Sequence, residues 1–446
     1  MRSVTDAMPF ILALALALAG SLTLCVPSAA AQSFDKDVSV LVDKVTAQAI
    51  ATRQDIHQHP ELSNREVRTA ELVAKQLRAL GLKVATGIAK TGVVGVLQGK
   101  GPGPVIAVRA DMDALPVAEA GELPFKSTAR ATYAGREVGV SHACGHDIHV
   151  AAALGAASVL ASLRDRFSGT VMFIFQPAEE GPPAGEKGGA GLMVEEGIFK
   201  ELKPDAIIAL HTNGDPPDEA GNDERLGRLS YTPGPAFAAS TKWTAVVRGR
   251  SAHGATPHLS VDPVVTASQI VLALQTLRSR ILPPLSANVV TVGIMRGGDR
   301  NNIIPAEVYL EGTLRTFDTA IQDTLEQRMR DIFDGTTKAA HATFELSFDR
   351  SHPLTTNDLK LTERMVPSLY RVAGKENVTV VPPETGAEDF SFFSNIVPGF
   401  YFKLGVVPEG KASGGHHTPT FYADDKAVPI GIRALSTLVL DYLQKF

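Results

Sequence analysis

The sequence predicts an α/β protein: a mixed, mostly parallel sheet flanked by helices, with a smaller ferredoxin-like βαββαβ unit inserted into it. Three observations carry that expectation. From about residue 38 to 215, helical patterns alternate with short, almost continuous apolar runs such as VIAVRADMD and TVMFIFQPAEE, as strands covered on both faces require. From about 228 to 350 the order becomes strand, helix, two strands, helix, strand. Beyond 350 the first texture returns.

The elements follow in chain order. Residues 10–24, FILALALALAGSLTL, form an apolar run of secretory length, preceded by Arg2 and followed by the small residues Ala29, Ala30 and Ala31. That pattern predicts a signal peptide over 1–31, and hence a periplasmic or secreted protein. Leu24 stands where a lipoprotein signal wants a small side chain before Cys25, so cleavage after Ala31 is preferred. Helical spacing then runs through VSVLVDKVTAQAIATRQDIHQH and REVRTAELVAKQLRAL, the latter stopped by Gly81. The strand VIAVRADMD, a helix from about 148 to 163, the strand TVMFIFQPAEE, a helix near 189–197 and the strand AIIALHT complete the first part, 32–227.

In the insertion, 228–350, TKWTAVVRG, NVVTVGIMRG, EVYLEGTLRT and ATFELSFD read as strands. DPVVTASQIVLALQTLRSR and TAIQDTLEQRMRDIFDGTTKAAH read as helices. The remainder, 351–446, supplies the helix DLKLTERMVPSLYRVAG, the strand GFYFKLGVV and a final helix from VPIGIRALSTLVLDYLQKF. A mature chain of about 415 residues is too long for one core, which agrees with two units.

The net charge is −5, with no basic tract and no aromatic-basic interleaving, so nucleic acid is not an expected partner. No run after the signal reaches membrane-spanning length.

Chemistry concentrates in HACGHDIHV, residues 142–150. Loss of the signal removes Cys25, one of only two cysteines. Cys144 is then a single thiol among His142, His146, Asp147 and His149, surroundings that suit a metal thiolate better than a core thiol. Cys144 and His146 are two apart, and in an extended segment they would point to one side. Elsewhere, acids and imidazoles fall just past apolar runs: Asp111 and Asp113 after VIAVR, Gln176, Glu179 and Glu180 after VMFIF, His211 after AIIAL. Those are the carboxyl ends of strands, where open α/β sheets bind ligands. Together they predict one convergent metal site.

Nine segments then occur in order: IHQHPELSNRE, RADMDALP, HACGHDIH, QPAEEG, SAHGATPH, NIIP, GTLR, GAEDFSFF and HHTP. On them the chain resembles the metallopeptidase family of aminoacylase and carboxypeptidase G, and within it the amidohydrolases that include hippurate hydrolase and plant auxin-conjugate hydrolases. The resemblance spans nearly the whole mature chain. It implies two divalent metal ions per subunit, zinc by default for thiolate and imidazole donors, with manganese or cobalt as alternatives. The implied ligands are Cys144, His146, Glu180, His211 and His417, with His416 as the neighbouring alternative to the last. A thiolate can bridge two metals, which would account for Cys144. Relatives often place a histidine ligand where Asp111 stands, so Asp111 is left out of the set, and Asp113 is expected to orient a ligand from behind. The loop GPPAGEKGG after the paired acids is longer than the family's.

The paired acids suggest the reaction. In extended backbone, Glu179 and Glu180 would diverge, one toward metal and the other toward a bound water. Glu179 is expected to be the general base, taking the water's proton and returning it to the leaving amine. The inserted unit is implied to be a lid and dimerisation surface. His253 would reach a neighbouring active site to stabilise the oxyanion, and Asn302 and Arg315 would hold a substrate carboxylate. The reading is a metal-dependent hydrolase of N-acyl amino acids acting on a small-molecule amide. A dipeptidase or carboxypeptidase is the alternative, and a non-catalytic binding protein on the same scaffold is a second class.

Overall fold

The computed structural model describes residues 29–217, 221 and 223–444, with side chains described from Phe34 onward. The signal-peptide expectation, up to residue 28, lies outside the described residues. Eight strands make the main sheet. In spatial order they are Lys83–Ile88, Gly92–Gln98, Thr170–Gln176, Val105–Asp111, Ala206–Asn213, Gly399–Gly405, Leu229–Tyr231 and Val378–Val380. The four neighbours at the centre, Thr170–Gln176 to Gly399–Gly405, run parallel, and antiparallel pairs lie toward both edges. The expected mixed, mostly parallel sheet is therefore what forms.

Successive residues of a strand point to opposite faces, and the two faces differ. One carries Val108, Phe173, Phe175, Ile208, Leu210, Phe400, Phe402 and Leu404. It packs under the helices Ala29–Gln58, Val67–Ala79, His146–Ser162, Leu359–Ala373 and Ala427–Gln444. The helix His146–Ser162 is buried almost all round, as expected for one that is apolar on every side. A Cβ at Gly155 would lie 2.3 Å from the Ile432 side chain, so glycine there sets how closely this helix approaches the C-terminal one.

The other face begins apolar, with Ala107, Met172, Ile174, Ile207, Ala209 and Tyr401 against the short helices Gly189–Glu195 and Ser391–Ser394. Two residues further along the same strands it turns polar. Arg109 and Asp111, Gln176, His211 and Lys403 share the alternation of the residues just named. All five are buried. This polar row at the carboxyl ends of the parallel strands places the site.

The inserted unit has a four-stranded antiparallel sheet ordered Asn288–Arg296, Glu307–Thr316, Ala239–Arg248, Thr343–His352. Its two helices, Pro263–Leu274 and Thr319–Ala339, lie on it in the βαββαβ order expected. Both begin at an aspartate cap: Asp262 accepts from the Val264 and Val265 amides, and Asp318 from those of Ala320 and Ile321. Its core, around Trp243, Ile270, Leu310, Leu325 and Phe333, is separate from those of the main sheet. Beyond Leu274 the helix expected to run on to Arg280 changes to a π-helical turn, Leu277–Ile281.

Candidate metal centre

Two local expectations about backbone are corrected by the structure. Cys144 and His146 do not sit in extended chain. Residues 143–144 form a turn, Gly145 is left-handed at φ +79°, and His146 opens a helix. Glu179 and Glu180 also lie in a turn, after Ala178 at φ +51°. Their carboxylates do not diverge but approach the same imidazole nitrogen, His146 Nε2, at 4.0 and 3.9 Å. A bend brings adjacent side chains together where a strand would have separated them.

The residues expected to bind metal come together. Cys144, His146 and His211 have donor atoms within 4.8 Å of one another, as do Cys144, Glu180 and His417, and His146, Glu179 and Glu180. The Cys144 sulfur lies 3.5 Å from His211 Nε2, and His417 Nε2 lies 3.0 Å from Glu180 Oε1. Of the two C-terminal histidines, His417 faces the cluster. His416 is half-buried beside it and accepts the Gly214 amide through Nε2 at 3.2 Å.

Backbone and acids behind the cluster hold these groups. His146 Nδ1 donates to the Asp113 carbonyl at 2.8 Å and lies 3.4 Å from its carboxylate. The Asp113 carboxylate in turn accepts the Glu179 and Glu180 amides at 3.1 and 3.0 Å and the Ser63 hydroxyl at 2.7 Å. One carboxylate thus fixes both the imidazole and the turn bearing the paired acids. His146 Nε2 is buried with no hydrogen-bond partner; burial acts to lower this imidazole's pKa, but Asp111, Asp113 and Glu180 raise it to about 10, so a positive charge is favoured at this nitrogen. Such an orphan is costly unless something occupies the space before it. The electrostatics agree. Burial, with Glu180, Glu179 and Asp111 nearby, pushes the Cys144 thiol well up. Burial, with Glu388, Glu180 and Asp389, pushes the Glu179 carboxyl up too. These groups oppose one another's ionisation until a cation arrives, so the donor set fits divalent metal.

Sequence reasoning missed what lies beneath. Arg109, completely buried, pairs with Asp111 at 2.6 Å, Glu388 at 2.8 Å and Asp389 at 3.1 Å. Its Nε donates to Gln176 at 2.9 Å, and the Tyr401 hydroxyl donates to Glu388 at 2.9 Å. Asp111 also accepts from His149 at 2.5 Å. The signal was present: an arginine inside an apolar strand two residues before an aspartate, and His146 and His149 three apart on one helix. Asp147 anchors the loop from the other side, to Arg53 Nε at 2.7 Å and His57 Nδ1 at 2.8 Å.

The residues expected to hold substrate stand apart. His253 and Asn302 are exposed on neighbouring segments, where the short strands Ala252–His253 and Ile303–Ile304 pair. Arg315 is half-buried and donates to the Leu314 carbonyl at 3.0 Å. Among the described residues, no hydrogen bond or ion pair joins these three to the metal cluster.

A parallel-centred α/β sheet, with thiol, imidazole and carboxylate donors converging beyond its carboxyl edge, defines a metal-dependent hydrolase. The chain belongs to the peptidase family M20/M25/M40, whose pattern matches residues 107–441. It is 35% identical over 399 residues to thermostable carboxypeptidase 2 of Saccharolobus solfataricus, covering 89% of this chain and 95% of that one. To the N-acetyl-L-cysteine deacetylase of Bacillus subtilis it is 36% identical over 383 residues, 85% of each. A solved Bacillus subtilis structure, described as a dinuclear metal binding peptidase of the M20 family, superposes with a TM-score of 0.75 at 29% identity, covering 91% of this chain and all of that one. The protein is a metal-dependent amide hydrolase that uses divalent ions.

Proposed function

We propose that this hydrolase releases amino acids from N-acyl amino acids at a centre of two divalent ions, zinc by default. Cys144, His146, Glu180, His211 and His417 would hold the ions. The observation that carries the reading is the convergence of these five donors from four separate segments. When bound, the ions supply Lewis acidity and make water acidic near neutrality.

Glu179 is the acid of the cluster with no ligand assignment. It takes the proton of the attacking water and delivers it to the amine nitrogen as the C–N bond breaks, leaving a carboxylate and an amine. Asp113 keeps His146 Nε2 facing the ions. Arg315 and Asn302 hold the substrate carboxylate, and His253 stabilises the oxyanion from a second copy of the chain. The inserted unit serves as lid and contact surface. Its edge strand Asn288–Arg296 has one side unpaired among the described residues, and Val265, Leu272 and Leu285 of the same unit are exposed. The apolar run at 10–24 supports export.

A second reading, a carboxypeptidase or dipeptidase, is favoured by the likeness to the Saccharolobus carboxypeptidase. Metal-reconstituted enzyme offered N-acetyl and N-benzoyl amino acids beside unblocked dipeptides separates the two. Faster turnover of the blocked substrates is expected, and preference for free amino termini would overturn the proposal. Glu179→Gln should bind metal and substrate while losing roughly 10²–10⁴-fold in kcat. Near-normal turnover would remove Glu179 as the base.

A further inference from the structure

We propose that His149 and Thr212 are positioning residues that lock the Cys144 loop onto the His211 strand, and so set the sulfur-to-nitrogen spacing that the metal centre needs. The inference rests on the metal-site reading above.

Thr212 ties three neighbours together through its amide, hydroxyl and carbonyl, and its hydroxyl also lies 3.3 Å from His149 Nε2. Its amide donates to His149 Nε2 at 2.8 Å. Its hydroxyl donates to the Cys144 carbonyl at 2.8 Å. Its own carbonyl accepts from His211 Nδ1 at 2.6 Å. The last bond turns His211 Nε2 toward the Cys144 sulfur, 3.5 Å away. Because His149 Nε2 accepts, its proton is on Nδ1, and that nitrogen donates to Asp111 at 2.5 Å. Asp111 is itself fixed by Arg109.

His149 and Asp111 lie close enough to His146 to be taken for metal ligands. Both ring nitrogens of His149 are already engaged, however, so its part is to hold rather than to coordinate. The contact leaves no slack: a Cβ at Gly145 would fall 2.5 Å from the Thr212 hydroxyl oxygen. The glycine after Cys144 is thus needed both for its left-handed backbone and for the approach of Thr212. Removing groups that orient metal ligands commonly lowers affinity roughly 10–100-fold.

The test titrates cobalt(II) into metal-free full-length protein, following stoichiometry, affinity and the thiolate-to-cobalt absorption band. Wild type should take two equivalents and show the band. His149→Phe should bind roughly 10–100-fold more weakly with a displaced band. Thr212→Val should weaken binding less, and Thr212→Ser should restore it. If His149→Phe melts early without metal, the Thr212→Val and Thr212→Ser pair decides. Wild-type affinity and band in both His149→Phe and Thr212→Val would overturn the clamp alone. Wild type taking up no cobalt would overturn the metal-site reading, and the clamp with it.

Discussion

Arg109 is the most exacting test of the buried polar row. It carries one positive charge among Asp111, Glu388 and Asp389, at 2.6–3.1 Å, with its side chain fully out of solvent. Arg109→Met keeps much of the apolar stem and removes the cation. Each pair, with charge centres ~4 Å apart at an effective dielectric of about 20, is worth about 4 kcal/mol of attraction. The net cost is smaller, because desolvation has already been incurred. Stripping one partner from a buried ion pair costs about 3–5 kcal/mol, and three acids share this partner, so that range is a lower bound. With an m-value of about 3 kcal/mol/M, the urea midpoint should fall by at least roughly 1–2 M. The chain has one tryptophan, Trp243, in the core of the inserted unit. Its fluorescence therefore follows the small unit, while far-ultraviolet circular dichroism follows both.

The pH dependence of the same variant gives a second reading. In wild type, burial acts to raise the Asp111 carboxyl, but Arg109, His146 and His149 override it and hold it well below the ordinary value. Its contribution is present above the unfolded value of about 3.9 and is lost as pH falls through the lower folded value. Without Arg109 the burial cost is less opposed and the folded value rises. The deficit should be widest at neutral pH and shrink as pH falls toward 4. A midpoint within 0.3 M of wild type at pH 7, or a gap that widens on acidification, would refute this account of the row.

Other consequences are simpler to check. Chelation should abolish turnover, and zinc, manganese or cobalt should restore it; activity that survives exhaustive chelation with no residual metal would contradict the family assignment of chemistry. Cys144→Ser should lower the metal content of purified protein below that of wild type, measured by atomic absorption, because a neutral hydroxyl replaces a thiolate. Burial and Arg53 would lower the His57 pKa, yet Asp147 and Glu119 leave it raised. Its stabilisation is therefore present below about 6.5 and lost as pH rises through the folded value. His57→Gln should flatten the alkaline fall in melting temperature, and an unchanged slope would count against the pairing. Phe333→Ala in the core of the inserted unit should cost about 3–5 kcal/mol by fluorescence and leave cobalt uptake unaltered; loss of both together would mean that the two cores are not independent.

The legible and illegible parts of the sequence divide on physical lines. Periodicity read the alternating sheet and the βαββαβ insertion because burial on two faces or one is written directly into apolar spacing. Strand-end polar residues pointed to the site for the same reason: Asp111, Gln176 and His211 interrupt runs that would otherwise stay buried. The geometry of HACGHD and of Glu179–Glu180 was not legible from spacing. It depends on the left-handed Gly145 and on Ala178, an alanine at positive φ that no local preference announces. Arg109 was hidden because an arginine in a strand ordinarily reads as an edge or surface residue. Its acids at 388 and 389 arrive from 279 and 280 residues away, separations at which no local pattern operates.

That long reach explains why the site is built with so much charge below it. Metal donors must stay aimed while no ion is present, yet like charges at close range favour splaying. The chain resolves this by layering. Arg109 satisfies Asp111, Glu388 and Asp389; Asp111 orders His149; and His149 with Thr212 holds Cys144 against His211. Asp113 does the same for His146 and the acidic turn. The outermost groups, the Cys144 sulfur, His146 Nε2, His211 Nε2, Glu179 and the Glu180–His417 pair, are left facing one another. A cation entering there meets donors already oriented, and the energy of its binding need not be spent on ordering them.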